Sequence, residues 1–546
     1  MYEQRFETQH SSAMDFGPYG LGATTNHMQN QLMTANLGMN WGVRNLELGF
    51  MGSQWEGAPL GKLSTLEREE IIHLAKLNNV NLTIHGPYVD PAGFNSNSHV
   101  FDETERINAV QEFKQAISFA DQIGTKNNVQ HIPVVMHGAN AAPGNPNPNE
   151  ILYYADRETG GVGTLQSKGN YISKELAAQY LDPNTMKTDF KPKEGHPDMG
   201  LLSPHAWLRL HEERTKHEIG VELANIDYHL EILAGQMDRA IKANESKRIE
   251  LMDKERQALI FQKEMKQTQM NHLEQEYIEQ GKNRLVPAEQ MAIEKVAQTT
   301  AELAVFSYGT QSQPTIAIEN IYPNMALSKI EDLNATIKLA REQFVDKMSP
   351  KIGGDAARQA AENLIGSTLD IGHLNMWTKY RNPETITPDN PQGSNYTKED
   401  IERWAMDAKR YVKHIHLTDN FGDADAHLPV GWGNAPIKEV VEKYKKDGFK
   451  GDMILETPGV GEQGHQMMVG IPASFDSLNY QLNPSMTWHD AVNSYFQAGY
   501  AFTGFQTLPD VTFQMYGAGF SGLPYGTGAV MPGKGDASRL SGAPMS

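Results

Sequence analysis

Residues 414–437, HIHLTDNFGDADAHLPVGWGNAPI, hold three histidines and three aspartates between His414 and His427. The stretch opens as an apolar-alternating run and passes into a Gly- and Pro-rich loop. Other short apolar runs also close on a polar group. His85 closes the run in VNLTIHGPY, and His137 falls in IPVVMHGAN. Glu319 ends TIAIE and is followed by Asn320, Asp370 lies in STLDIGH with His373 three residues on, and Glu456 ends DMILE. A carboxylate buried without a partner is costly. Three of them aimed into one space repel unless protons or a cation neutralise them. A divalent metal removes that cost, and imidazole neighbours suit zinc, manganese or iron better than magnesium. The chain has no cysteine, so any metal must be held by His, Asp and Glu.

Such apolar runs number eight, and six of them carry these groups. They lie within residues 14–22, 43–50, 80–88, 132–140, 315–320, 367–373, 411–419 and 452–459. Their length and β-branched content suit buried parallel strands. Helical spacing separates them. In residues 63–79, Leu66, Ile71, Leu74 and Leu77 recur mostly at helical intervals, with Ser64 or Thr65 as N-cap. Residues 103–124 repeat the arrangement and end on Gly124, and 326–344 and 398–412 follow suit. Eight strands alternating with helices predict a (β/α)8 TIM barrel, with a doubly wound open sheet as the alternative. In a barrel the C-terminal ends of all eight strands meet at one mouth, where barrel enzymes keep their chemistry. Every polar group above sits at or just past such an end.

The interval between the fourth and fifth strands is too long for a loop. Residues 139–160 are Asn-, Pro- and Gly-rich and read as irregular, whereas 205–307 read as helical. Ile219, Leu223, Ile226, Leu230, Leu233 and Met237 step by alternating fours and threes, the seam of a helical hairpin or coiled coil. Gly281 and Pro287 mark a break before a further helix from about 288. The expected division is a barrel over 1–138 and 311–500, a mostly helical, coiled-coil-like insertion over 139–310, and an irregular Gly/Pro-rich tail over 501–546. The insertion follows the fourth strand, on the side of the barrel that carries His137. It reads equally as a lid, as a surface for self-association or a protein partner, or as a stripe packed on its own hairpin mate.

The formal net charge of −19 argues against coating nucleic acid non-specifically. No run of about 18 apolar residues spans a membrane. No secretory leader is evident at the start, and the lack of cysteine fits a cytoplasmic protein.

The stretches HGPY (85–88), VMHG (135–138), IEN (318–320), LDIGH (369–373), 414–434 and LETPG (455–459) resemble the xylose isomerase-like TIM barrel superfamily. That superfamily, also known as AP endonuclease family 2, contains endonuclease IV and many sugar isomerases and epimerases. The resemblance covers the barrel and leaves out the insertion and the tail. It implies a core of Glu319, Asp370, His416 and Glu456 around a divalent metal, with Glu319 and Glu456 catalytic. The endonuclease IV branch adds ligands for three zinc ions, which here correspond to His85, His137, His373, Asp425 and His427. Tyr88 matches the tyrosine of a His-x-Pro-Tyr element and, with Asn320, is expected to bind substrate. The motifs HGAN and ENIYPN depart from that branch's usual His-Pro-Gly and Glu-Asn-Thr-Ala-Gly.

With all nine ligand positions filled, the leading expectation is a zinc-dependent hydrolase of the endonuclease IV kind, cleaving phosphodiester bonds at abasic sites in DNA. The alternative is a sugar or sugar-phosphate isomerase or epimerase that uses one or two divalent ions, replaceable by manganese or cobalt. A third reading is a non-catalytic interaction protein that works through the helical insertion.

Overall fold

The computed structural model describes residues 21–25, 30–40, 43, 45–50, 63–145, 151–165, 172–193, 195–280, 284–385, 390 and 393–456, with residues 474 and 478. The predicted tail, 501–546, lies outside the described residues. The chain divides into two compact units. The first comprises 1–146, 292–386 and 390–546, and the second 147–291 with 387–389.

The first unit contains a closed barrel of eight parallel strands. In chain order they are β1 (Gly22–Thr24), β2 (Asn45–Gly49), β3 (Asn81–His85), β4 (Pro133–His137), β5 (Thr315–Glu319), β6 (Ile365–Asp370), β7 (Val412–Leu417) and β8 (Asp452–Leu455). Each pairs with its sequence neighbours, and β8 closes on β1. The open-sheet alternative is thereby excluded. β1 begins only at Gly22, so the expected window of 14–22 was placed too early. Strands in such a barrel are covered on both faces, inside by one another's side chains and outside by helices. Leu46, Leu48, Ile84, Val135, Ile316, Ile318, Leu369, Ile415 and Ile454 are accordingly buried.

The helix Thr65–Leu77 starts at Ser64, whose hydroxyl accepts from the Glu67 N–H while the Glu67 carboxylate accepts from Ser64, a reciprocal capping box. The helix Glu103–Asn127 runs past Gly124 and ends where Asn128 adopts a left-handed conformation, φ 57°. Gly124 lies within the helix, and its missing side chain makes room for Ser312, where a Cβ would lie 2.5 Å from the Ser312 side chain. Arg106 on this helix bonds Glu103, Thr299 and Glu302, tying it to the helix Ala288–Tyr308.

The second unit is richer in strands than expected. Leu152–Asp156 pairs with Val162–Leu165 and Leu285–Pro287 in one small antiparallel sheet, and Ile172–Ser173, Phe190–Lys193 and His196–Leu202 form another. The expected irregular stretch, 139–160, thus contains a strand. Its residues Leu152–Asp156 need the distant segment 285–287 as a partner, which local pattern does not reveal. The long helices Pro204–Lys242 and Ser246–Gln280 form an antiparallel hairpin. Leu233, Ala240 and Met252 are buried at their contact, with Met237, Ile249 and Leu259 alongside. No described helix is long and apolar enough to cross a membrane.

Candidate metal centre

His85, His137, Glu319 and Asp370 are the last residues of β3, β4, β5 and β6. His416 is the next-to-last residue of β7, and Glu456 directly follows β8. Parallel register brings them level: Glu319 lies opposite His137, and Asp370 opposite His416. Six strands thus deliver polar side chains to one end of the barrel.

The ligating atoms of Glu319, Asp370, His416 and Glu456 all lie within 4.8 Å of one another. Nδ1 of His416 is 3.0 Å from Glu319 Oε1 and 3.2 Å from Glu456 Oε2. A second group, His85, His137 and Glu319, shares Glu319, whose Oε2 is 3.7 and 3.5 Å from the two Nε2 atoms. In a third, Asp425 Oδ2 lies 3.3 Å from His373 Nε2 and 2.8 Å from His427 Nε2. All nine expected ligand residues therefore converge as three adjoining groups.

The far side of each imidazole explains its aim. A neutral ring keeps one N–H and one lone pair, and the N–H partner decides which nitrogen is free to coordinate. Nδ1 of His85 faces the Gly86 carbonyl at 3.1 Å, and Nδ1 of His137 the Asn140 Oδ1 at 2.7 Å. Nδ1 of His373 faces the Asn320 carbonyl and that of His427 the Glu456 carbonyl, each at 2.8 Å. Each of these oxygens accepts an Nδ1–H, so Nε2 is the nitrogen turned toward the carboxylates. His427 adopts a left-handed backbone, φ 45°, uncommon for a side-chain-bearing residue and costly unless its surroundings hold it.

The charges are arranged for a cation. Burial alone would raise the pKa of Glu319, but His416 outweighs it and the carboxyl titrates below its usual range. Burial likewise opposes ionisation of Glu456, yet His416 and His427 hold it well below that range. Asp370 is pushed up to about 6 by burial and by Glu319, Glu456 and Asp425, despite His373. Burial lowers His137 to about 4, against the pull of Glu319, leaving a neutral imidazole. Burial also opposes charge on His427, but Glu456 and Asp425 raise it to about 10. Among the described residues, Glu319 Oε2, Glu456 Oε2 and Asp425 Oδ1 are buried and have no hydrogen-bond partner. Acceptor atoms left in that state fit a bound cation.

The two expected substrate contacts differ in their surroundings. Tyr88 stacks on His85 at 5.2 Å between ring centroids and meets His137 edge-on at 4.9 Å. Asn320 is buried, and its amide pairs with the backbone of Asp370 through Nδ2 and Oδ1, both at 2.9 Å. Its side chain therefore locks the end of β5 to the end of β6.

Three residues of the site were not singled out by the sequence reading. Thr418 donates to Asp370 Oδ1 at 2.8 Å, beside the His373 N–H at 2.6 Å. Asp419 accepts the backbone N–H groups of Asn420, Gly431, Gly433 and Ala435, fastening the loop that carries Asp425 and His427. The Gly433 backbone approaches so closely that a Cβ there would collide with the Asp419 carboxylate. Glu47, in the middle of β2, is fully buried beneath His416. An acidic residue inside the apolar run VRNLELGF is the same signal that marked Glu319, but it lies two residues before its strand's end.

The family model described as "Xylose isomerase-like TIM barrel" matches residues 210–471. An uncharacterized protein of Methanocaldococcus jannaschii is 32% identical over 96 residues, 18% of this chain. The match spans 27% of that curated relative's length. Among solved structures, a D-tagatose 3-epimerase-like protein is similar with a TM-score of 0.40 and 13% identity, covering 84% of this chain and 98% of the other. A D-psicose 3-epimerase from Clostridium cellulolyticum H10 scores 0.36 at 11% identity, covering 80% and 84%. An L-ribulose 3-epimerase scores 0.36 at 10%, covering 89% and 94%. Scores this low carry no argument about chemistry.

Proposed function

With a xylose isomerase-like TIM barrel as its scaffold, we propose that the chain is a divalent-metal-dependent isomerase or epimerase of a small, uncharged sugar. The observation that carries this reading is the ring of Glu319, Asp370, His416 and Glu456, set among strand-end segments almost devoid of cations. Among the described residues, those following β3, β4 and β7 contain no Lys or Arg over 86–105, 138–145 and 418–437. Lys329 follows β5, and Lys379 and Arg381 follow β6. Lys379 is paired with Asp423 at 3.3 Å. DNA binding draws most of its affinity from Lys and Arg on phosphates, and a phosphorylated sugar also needs an anion grip. A neutral polyol needs neither.

Glu319, Asp370, His416 and Glu456 would hold the ion. When bound, it would polarise the sugar's carbonyl and hydroxyl oxygens. Glu319 and Glu456 would then carry the proton. One carboxylate removes it from a carbon beside the carbonyl, and the other, as the acid, supplies one to the carbon that receives it. Asn320 and Thr418 keep Asp370 in place. The test is the full chain loaded with Mn2+ or Co2+, supplied with neutral aldoses and ketoses and assayed for their interconversion. Failure on every sugar in the loaded state contradicts the reading.

One observation favours a second reading, a zinc-dependent hydrolase of the endonuclease IV kind. The outer groups, His85 with His137 and Asp425 with His373 and His427, carry the same preset Nε2 aim as a three-ion site requires. That reading calls for three zinc ions per chain and incision of a duplex bearing one abasic site. A chain with fewer ions and no incision contradicts it.

A further inference from the structure

Below the ring lies a carboxylate with no place in either expected ligand set. Glu47 is completely buried on β2, beside β3 and across the barrel from β7. Its Oε2 accepts from His414 Nε2 at 2.8 Å and from Thr83 Oγ1 at 3.4 Å. Its Oε1 lies 3.1 Å from Nε2 of His416. That last contact is short, but it is not aligned as a hydrogen bond. The His416 ring therefore joins two clusters, with Nδ1 toward Glu319 and Glu456 and Nε2 toward Glu47.

His416 is also reversed relative to the other four imidazoles of the site. Those four give Nδ1–H to an oxygen and turn Nε2 inward, whereas His416 turns Nδ1 inward. Its inward lone pair exists only if the proton stays on Nε2, and Glu47 is the carboxylate on that side. We propose that Glu47 is a positioning residue whose buried carboxylate, 3.1 Å from Nε2 of His416, keeps that ring's proton on Nε2 by its charge, and so presents Nδ1 to the metal, with His414 clamping Glu47 from below. The inference rests on the metal-centre reading but not on the choice of sugar or DNA. Glu47 does not touch the space where a substrate would bind, and its role runs through His416.

Glu47, His414 and His416 also lie close enough together to hold a cation themselves. That occupant would take Nε2 of His416 as a ligand, so the two possibilities predict different stoichiometries.

The experiment titrates Co2+ into the metal-free full chain, following the visible spectrum and the heat of binding, for wild type and Glu47→Gln. Far-UV circular dichroism and melting of the metal-free proteins report folding separately. With Glu47→Gln folded, the expected result is unchanged stoichiometry, affinity lower by about 10- to 100-fold, and a shifted Co2+ spectrum. A merely structural role would move the melting temperature but not the spectrum. Unchanged affinity and spectrum overturn the proposal, as does loss of one whole equivalent with the others unaffected, since Glu47 would then be a ligand. Should Glu47→Gln not fold, His414→Gln carries the test, with a smaller fall in affinity expected and no change overturning it. If the wild type takes up no Co2+, the metal reading itself fails, independently of Glu47.

Discussion

Nδ1 of His416 and Oε1 of Glu319 lie 3.0 Å apart with both side chains fully buried. The pair sits where two of the three polar groups overlap, because Oε2 of Glu319 turns to His85 and His137. Glu319→Gln keeps the shape and removes the charge. It should lower kcat/KM by about 10²- to 10⁴-fold, the range for loss of a proton-transfer group. Metal analysis should also find less bound ion. Wild-type activity in the variant would remove Glu319 from the chemistry.

The loop bearing Asp425 and His427 depends on a residue that need touch neither metal nor substrate. Asp419 is 1% exposed and accepts four backbone N–H groups. Asp419→Ala leaves those donors poorly satisfied and should destabilise the protein by about 3 kcal/mol, measured by urea unfolding. A change within about 0.5 kcal/mol would show that the loop finds other acceptors.

Outside the expected ligand set, Arg106 is 3% exposed and joins Glu103 to Thr299 and Glu302. Its hydrogen bond lowers Glu103 from 4.5 to about 2. A folded-state pKa below the unfolded one adds stability above the unfolded value, and that stability is lost as pH falls toward the folded value. Wild type should therefore lose its melting-temperature advantage over Glu103→Gln as pH drops from about 5 to about 2.5. Because Glu103 is half exposed, the gain is modest. An advantage that grows on acidification would contradict the assignment.

The cation-poor rim makes a prediction about salt. Turnover of a neutral sugar should change less than twofold between about 50 and 200 mM salt, whereas binding through several phosphates weakens by orders of magnitude over that range. Steep salt dependence would point to an anionic substrate and to cations supplied from elsewhere in the chain.

How much of this was legible beforehand depends on where each residue lies. His85, His137, Glu319 and Asp370 stood out because a strand covered on both faces has little use for polar side chains, so those at its end mark the mouth. Glu47 breaks the same rule, but from mid-strand, and its partner His414 lies 367 positions away. Asn320 was expected to meet substrate, yet only the pairing of β5 with β6 reveals that its amide is engaged by Asp370. The sheets of the second unit were hidden for a related reason. Their strands are short and find partners across long sequence gaps, so periodicity carries little of the signal.

The central claim is that the ring around His416 holds a metal used to move a proton on a sugar carbon. The most direct measurement is proton NMR of neutral ketoses and aldoses incubated in D2O with the metal-loaded chain. The account predicts interconversion, with deuterium entering at the reacting carbon, abolished by chelation and by Glu319→Gln. No exchange on any sugar, together with metal-dependent incision of a duplex at an abasic site, would contradict it.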